Sequence, residues 1–144
     1  MTPIILLHGA IGAHDQLVAL ANELKQQGFQ PYSFSFSGHG QIPFQDNFSI
    51  EQFALELEQF IAKNNLEQPA GFGYSMGGYV ALYLAKQNPG LLGNVITLGT
   101  KFNWSPEIAQ KEIKMLDAKA IAEKVPKFAA SLKERHGEAW EALL

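Results

Sequence analysis

The serine at position 75 stands between two glycines in the pattern Gly-x-Ser-x-Gly, which runs from Gly73 to Gly77. A serine hydroxyl reacts poorly at its ordinary pKa, so a nucleophilic serine must project from a tight turn where a base and hydrogen-bond donors can reach it. A strand that turns sharply into a helix creates such a position, and the residues two before and two after the serine must then be small. The pattern predicts that Ser75 is a nucleophile.

The sequence on either side of the motif fits this turn. Residues 69–74 form a short apolar run that is compatible with a strand, and residues 76–87 are typical of a buried helix that stops at Asn88-Pro89-Gly90. Glycine and serine are common in turns, so five residues alone could match the motif by chance. Its location between a strand and a helix favours the nucleophile interpretation.

A second segment with chemical potential lies near the amino terminus. Residues 3–7 are continuously apolar, as expected for a strand that is covered on both faces in the middle of a parallel sheet, and His8-Gly9-Ala10 follows. The chain can turn at Gly9 and offer a backbone N–H to the oxyanion of a tetrahedral intermediate. We expect the backbone N–H groups of Ala10 and Met76 to form the oxyanion hole.

Three motifs follow one another along the chain: Leu7-His8-Gly9-Ala10, Ser37-Gly38-His39-Gly40 and Gly73-Tyr74-Ser75-Met76-Gly77-Gly78. Together they resemble the amino-terminal signatures of the α/β-hydrolase superfamily, and the resemblance covers residues 3–100. It implies an α/β three-layer sandwich with a mostly parallel sheet, in an incomplete α/β-hydrolase fold that carries a helical cap segment. It also implies that His8 and His39 shape loops and that neither is the catalytic base.

The hydrophobic pattern between the motifs alternates strands with helices. Beyond the elements already named, it predicts helices over 16–27 and 50–64 and strands over 29–36 and 94–99. Asp15 and Ser49 are the expected N-caps of the two helices, and Gly28 is the expected stop of the first. This order predicts a parallel sheet with right-handed crossovers, whose carboxyl edge would bring Ala10 and Ser75 together.

Residues 101–144 differ in composition from residues 1–100. Lysine and arginine number 3 in the first hundred residues and 8 in the last 44, where no run is typical of a strand. Apolar residues recur there at spacings of mostly three to five, which predicts amphipathic helices broken at Pro126. We therefore divide the chain into an α/β-hydrolase core at 1–100 and a helical cap or lid at 101–144. A solvated helical tail packed on the core is the alternative.

The acid and base that would activate Ser75 are not evident. Enzymes of this kind carry nucleophile, acid and base in that chain order, and Asp117 and His136 are the candidates that follow the serine. Both lie in helical sequence with no strand before them, so we interpret Asp117 as a helix cap and His136 as a charged residue at a helix end. We expect the true acid and base outside this chain, as in a fragment of a longer enzyme. A natural short form that borrows catalytic groups, or has none, is the alternative.

Composition narrows the classes of partner. A chain of 144 residues fits one domain, and its net charge of -3 argues against nucleic acid or an anionic membrane surface as a partner. The sequence has no cysteine, no metal-ligand spacing and no apolar run long enough to span a membrane. We expect no signal peptide, because no basic region precedes the first strand. We expect a cytoplasmic protein that uses no metal and no cofactor.

The sequence predicts a serine hydrolase that cleaves an ester, thioester or related acyl bond of a small apolar substrate through an acyl-enzyme. An acyltransferase, or a carbon–carbon bond hydrolase or lyase, would use the same scaffold, and a non-catalytic module that binds a small apolar ligand is a further alternative. Aromatic residues in or beside loops near the expected active face suggest an apolar pocket, with ordinary core and loop packing as the alternative for each of them. They are Phe36, Phe44, Phe48, Phe102 and Trp104.

Overall fold

The computed structural model describes all 144 residues. Up to residue 98, strands alternate with helices in the order β1 (Thr2–Leu7), α1 (Val18–Gln26), β2 (Phe29–Ser33), α2 (Ile50–Lys63), β3 (Ala70–Tyr74), α3 (Met76–Gln87) and β4 (Val95–Leu98). The four strands form one sheet in the order β2-β1-β3-β4, and every neighbouring pair is parallel. The predicted α/β class with a parallel sheet and flanking helices is confirmed.

The strand order creates a topological switch point between β1 and β3. The chain leaves β1 towards β2 but leaves β3 towards β4, in the opposite direction. Right-handed crossovers then put α1 on one face of the sheet and both α2 and α3 on the other. The loops after β1 and β3 diverge at this point, so a crevice forms at the carboxyl edge, where open α/β sheets bind their ligands.

The main core lies between the sheet and the pair α2 and α3. It contains Ile5, Leu7, Phe36, Phe53, Ala54, Leu57, Ile61, Val80, Ala81, Leu84 and Leu92. The opposite face is covered less well, because α1 has no buried residue. On β4, Ile96 and Leu98 are 53% and 57% exposed. The sheet is therefore anchored mainly from the α2 and α3 side.

The starts of two helices test the predicted N-caps. The Ser49 side chain caps α2 as predicted, accepting a backbone hydrogen bond at 3.1 Å. The prediction for α1 is wrong, because this helix begins only at Val18 and Asp15 is not its N-cap. The chain is still in turns at residue 16, where the Gln16 side chain reaches away to accept the Gly9 N–H at 2.8 Å.

The carboxyl-terminal helical segment, residues 101–144, contains α4 (Pro106–Ile113), α5 (Ala118–Lys124), α6 (Pro126–His136) and a final 3₁₀ helix (Glu138–Leu143). The predicted break at Pro126 is confirmed: this proline is the first residue of α6, where a missing N–H costs no helical hydrogen bond. A second core cluster joins Ile121, Ala129, Leu132 and Trp140, and Ile11 packs against it. None of the helices combines the length and apolarity needed to cross a bilayer.

Candidate active site

Ser75 occupies the tip of the turn between β3 and α3 in a strained conformation. Its φ of 49° and ψ of -115° lie outside the regions that residues other than glycine prefer. Two hydrogen bonds of 2.8 Å hold it there: its N–H donates to the Leu98 carbonyl, and the Thr100 hydroxyl donates to its own carbonyl. Such strain costs on the order of 1–3 kcal/mol and clusters at functional sites. No sequence signal pointed to Thr100.

The glycines around Ser75 are needed because the elements approach closely. A Cβ atom added to Gly73 would overlap the backbone of Gly78, and one added to Gly77 would overlap the carbonyl of Leu7. A Cβ atom on Gly78 would overlap the Thr100 hydroxyl. The turn therefore packs β3, α3 and the end of β1 into contacts that no larger residue permits.

The loop after β1, residues 9–12, lies directly beside the serine. A Cβ atom on Gly9 would be 3.3 Å from the Cβ of Ser75. Within this β1 loop, the Gly12 N–H donates to the Gly9 carbonyl at 3.0 Å. The loop is thus a hydrogen-bonded turn that leaves no room for a side chain at Gly9 next to the predicted nucleophile.

The predicted oxyanion donors lie on the same side of the molecule as Ser75. The N–H of Ala10 donates no hydrogen bond within the chain. Met76 is the first residue of α3, so its N–H has no acceptor within that helix. The structure brings Ala10, Met76 and Ser75 together as lining residues of one cavity.

This cavity has a volume of about 690 Å³ and lies between the core and the helical segment. Of the five aromatic residues expected near the active face, only Phe48 and Trp104 line it; Phe36 instead belongs to the main core. The lining is mostly apolar and also contains the ion-paired side chains of Lys101 and Glu112. The further lining residues are Ile11, His39, Ile50, Tyr79, Thr100, Met115, Leu116, Leu143 and Leu144.

His8 and His39 are each only 1% exposed and bond to loop backbone. The Nε2 atom of His8 accepts the Phe36 N–H at 3.1 Å, so its Nδ1 carries the proton and donates to the Gly9 carbonyl at 2.8 Å. The Nδ1 of His39 donates to the Ser37 carbonyl at 3.1 Å. Burial lowers the pKa of each imidazole from 6.5 to about 4, so both are neutral at pH 7. These bonds agree with the loop-shaping role that the sequence indicated.

The structure does not bring Asp117 and His136 to the serine as an acid and base. Asp117 is exposed and caps α5, accepting the Ala120 N–H at 2.8 Å. Both ring nitrogens of His136 are occupied, since Nδ1 accepts the Gly40 N–H and Nε2 donates to the Ile11 carbonyl, each at 2.9 Å. No hydrogen bond joins either residue to Ser75 or to the other.

His136 is the last residue of α6, as expected, but our prediction of a charged imidazolium there is wrong. Burial lowers its pKa, and an Nδ1 that accepts a hydrogen bond cannot carry a proton. The helix-end position was visible in the sequence, whereas the burial arises from contacts with loops near residues 11 and 40.

Among known proteins, the chain is similar to an acetyltransferase and to a lipase. The chain is 27% identical to ethanol acetyltransferase 1 of Hanseniaspora uvarum over 107 residues, which cover 74% of this chain and 32% of that protein. It is 24% identical to the sn-1-specific diacylglycerol lipase ABHD11 of Danio rerio over 98 residues, or 67% of this chain and 31% of that protein. The chain thus spans about a third of the length of these curated relatives.

Among solved structures, a marine microorganism esterase matches with a TM-score of 0.71 and 30% identity, over 99% of this chain and 57% of that one. The family model described as alpha/beta hydrolase fold matches residues 2–142, which include both the sheet and the helical segment. The resemblance indicated by the three motifs is confirmed, and the chain belongs to the alpha/beta hydrolase family.

Proposed function

We propose that this chain carries the nucleophilic serine of an enzyme that cleaves ester, thioester or related acyl bonds of apolar substrates. The observation that carries the proposal is the strained Ser75 at the wall of a largely apolar cavity, beside the Ala10 N–H that has no partner. The serine strain has a cost that a merely structural turn would avoid by using glycine.

In the proposed reaction, Ser75 Oγ bonds to the acyl carbon and the carbonyl oxygen becomes an oxyanion. The N–H groups of Ala10 and Met76 stabilise this charge, at about 3 kcal/mol for each donor. The bond to the leaving alcohol or thiol then breaks, and the leaving group takes up the proton that the serine lost. Water hydrolyses the acyl-enzyme and restores the free serine.

We further propose that the acid and base of the reaction come from polypeptide other than these 144 residues. The two candidates in this chain have other bonds, and the curated relatives are about three times as long as the matched segment. Without a base, Ser75 remains a weak alcohol and reacts slowly, although an oxyanion hole alone retains part of the catalysis.

Labelling with an octyl fluorophosphonate tests the nucleophile. The Ser75 oxygen displaces fluoride at phosphorus, and the proton leaves to solvent, so intact mass and peptide mapping report the adduct. We expect slow labelling at Ser75, none in Ser75→Ala and the wild-type rate in the control Ser131→Ala, whose serine lies exposed on α6. Labelling that persists unchanged in Ser75→Ala would exclude this serine as the nucleophile.

Acyl transfer to an alcohol is the second candidate, favoured because a relative is an ethanol acetyltransferase. Both reactions share the acyl-enzyme and differ in whether water or an alcohol attacks it. Turnover of p-nitrophenyl butyrate in the presence of ethanol distinguishes them by product. Butyrate as the main product supports hydrolysis, and ethyl butyrate as the main product supports transfer.

A further inference from the structure

Ile11, the residue after the proposed oxyanion donor Ala10, has a strained backbone. Its φ is 56°, in the left-handed region, where a β-branched side chain is a genuine outlier. A strained residue of this kind persists only when its surroundings determine its conformation. The contacts that fix Ile11 therefore also constrain the β1 loop that contains the Ala10 N–H, two peptide units before the Ile11 carbonyl.

Those contacts come from the carboxyl-terminal helical segment. The Ile11 carbonyl accepts Nε2–H of His136 at 2.9 Å and a longer bond from Arg135 Nη1 at 3.4 Å. The Ile11 side chain packs against the second core cluster, which includes Leu132 and Trp140. Backbone and side chain of this residue are thus held by α6 and the 3₁₀ helix.

The second ring nitrogen of His136 holds another loop. Its Nδ1 accepts the Gly40 N–H at 2.9 Å, in the loop that His39 and Ser37 shape. His136 is 5% exposed, and both bonds are partly buried. One buried imidazole therefore ties the β1 loop to the loop around Gly40.

We infer that His136 is a positioning residue that holds the Ala10 N–H in place through the Ile11 carbonyl. The inference rests on the proposed function, since it assigns a purpose to the oxyanion donor proposed there. The helical segment then does more than cover the cavity: it supplies the contacts that keep the β1 loop in its strained form. Displacement of α6 would release Ile11 and with it the donor.

Two substitutions separate the two bonds of His136. In His136→Gln, the side-chain amide nitrogen reaches the former place of Nε2 and can still donate to Ile11, but the Gly40 bond is lost. In His136→Asn, the side-chain oxygen reaches the former place of Nδ1 and can accept from Gly40, but the Ile11 bond is lost. Neither side chain titrates, so the pair isolates the hydrogen bond to Ile11.

The first readout is hydrogen exchange at the Gly12 amide, which is bonded to the Gly9 carbonyl within the β1 loop. We expect exchange to be about tenfold faster in His136→Asn and close to wild type in His136→Gln, since tenfold corresponds to one lost bond of ordinary strength. The second is the limiting rate of octyl fluorophosphonate labelling at Ser75. This limiting rate should fall about tenfold in His136→Asn only, with the half-saturating reagent concentration unchanged. Full removal of an oxyanion donor costs a hundredfold or more, and a donor that is only displaced should cost less.

Near-UV circular dichroism establishes that each variant is folded before it is scored. Wild-type exchange and labelling in His136→Asn would overturn the inference, and so would equal losses in both variants, which would point to ring packing alone. Faster exchange without slower labelling would also overturn the positioning role. Hydrogen exchange at Gly12 does not depend on the chemistry of Ser75, so it tests the inference about His136 by itself. Labelling that persists in Ser75→Ala would instead contradict the proposed function.

Discussion

Acid should destabilise this fold through its buried histidines, and above all through His8 and His39. His8 and His39 are neutral, and burial is the main cause that lowers their pKa values to about 4. His8 illustrates the mechanism: its Nε2 accepts the Phe36 N–H, and protonation of that nitrogen would replace an acceptor with a second donor. Folding thus favours the unprotonated form of both rings.

The magnitude follows from the difference between the folded and unfolded pKa values. Because the unfolded chain, with a histidine pKa of 6.5, binds more protons than the folded chain, the free energy of unfolding is greatest above about pH 6.5 and falls as the pH drops towards 4. At pH 5 the pH lies 1.5 units below the pKa of the unfolded rings, which are therefore protonated, while the folded rings are still mostly neutral. Each histidine then lowers the free energy of unfolding by about 2 kcal/mol. The two together remove about 4 kcal/mol, a large part of the 5–15 kcal/mol of a typical domain.

Urea unfolding at pH 7 and pH 5, followed by far-UV circular dichroism, measures this loss. In His8→Gln the amide oxygen can accept the Phe36 N–H without titrating, so the loss between the two pH values should shrink by about 2 kcal/mol. His14→Gln, which replaces an exposed histidine close to the β1 loop, is the matched control, and most of the loss between the two pH values should persist in it. A wild-type free energy of unfolding that is equal at both pH values, or an unchanged pH dependence in His8→Gln, would refute the reasoning.

Three further substitutions probe the serine turn and the helical segment. Ser75→Gly should raise the free energy of unfolding by about 1 kcal/mol in urea titrations, by relieving the positive φ, while it abolishes labelling; a fall in stability would contradict the strain. Gly77→Ala should destabilise by more than about 3 kcal/mol, because its Cβ would overlap the Leu7 carbonyl, whereas Gly71→Ala, where the nearest atoms are 3.9 Å away, is the tolerated control. Equal thermal midpoints for these two would argue against that overlap. Asp117→Ala should cost about 1 kcal/mol as a lost helix cap and leave the labelling rate unchanged, and a much slower rate would instead make Asp117 catalytic.

The parts of the site that the sequence predicted are those that leave a local pattern. The turn at Ser75 needs small residues at fixed offsets, so Gly73 and Gly77 mark it within five positions. Strands and helices of the sheet follow from hydrophobic periodicity, and α3 matches its predicted range of 76–87. Both kinds of signal arise from neighbours in the chain, which is why one sequence suffices to detect them.

The parts that the sequence did not reveal depend on distant contacts. Nothing local predicts a positive φ at Ile11, because a β-branched residue is among the least suited to that conformation. It is stabilised by His136, 125 residues further along the chain, in a bond that the local pattern around a helix end cannot reveal. The same distance explains why we expected a charged imidazole there: the helix end was visible, but the burial was not.

These contacts change the meaning of the predicted boundary at residue 100. Ile11, which lies before the boundary, packs against the second cluster, whose members all lie after it. The cavity over Ser75 is likewise lined by residues from both sides of the boundary. His8, His39 and His136 each bond to loop backbone around this cavity, and each is favoured in its neutral form by burial. The helical segment and the loops thus share a packed interface, and under our inference a displacement of residues 126–144 would also disturb the β1 loop that carries the proposed oxyanion donor.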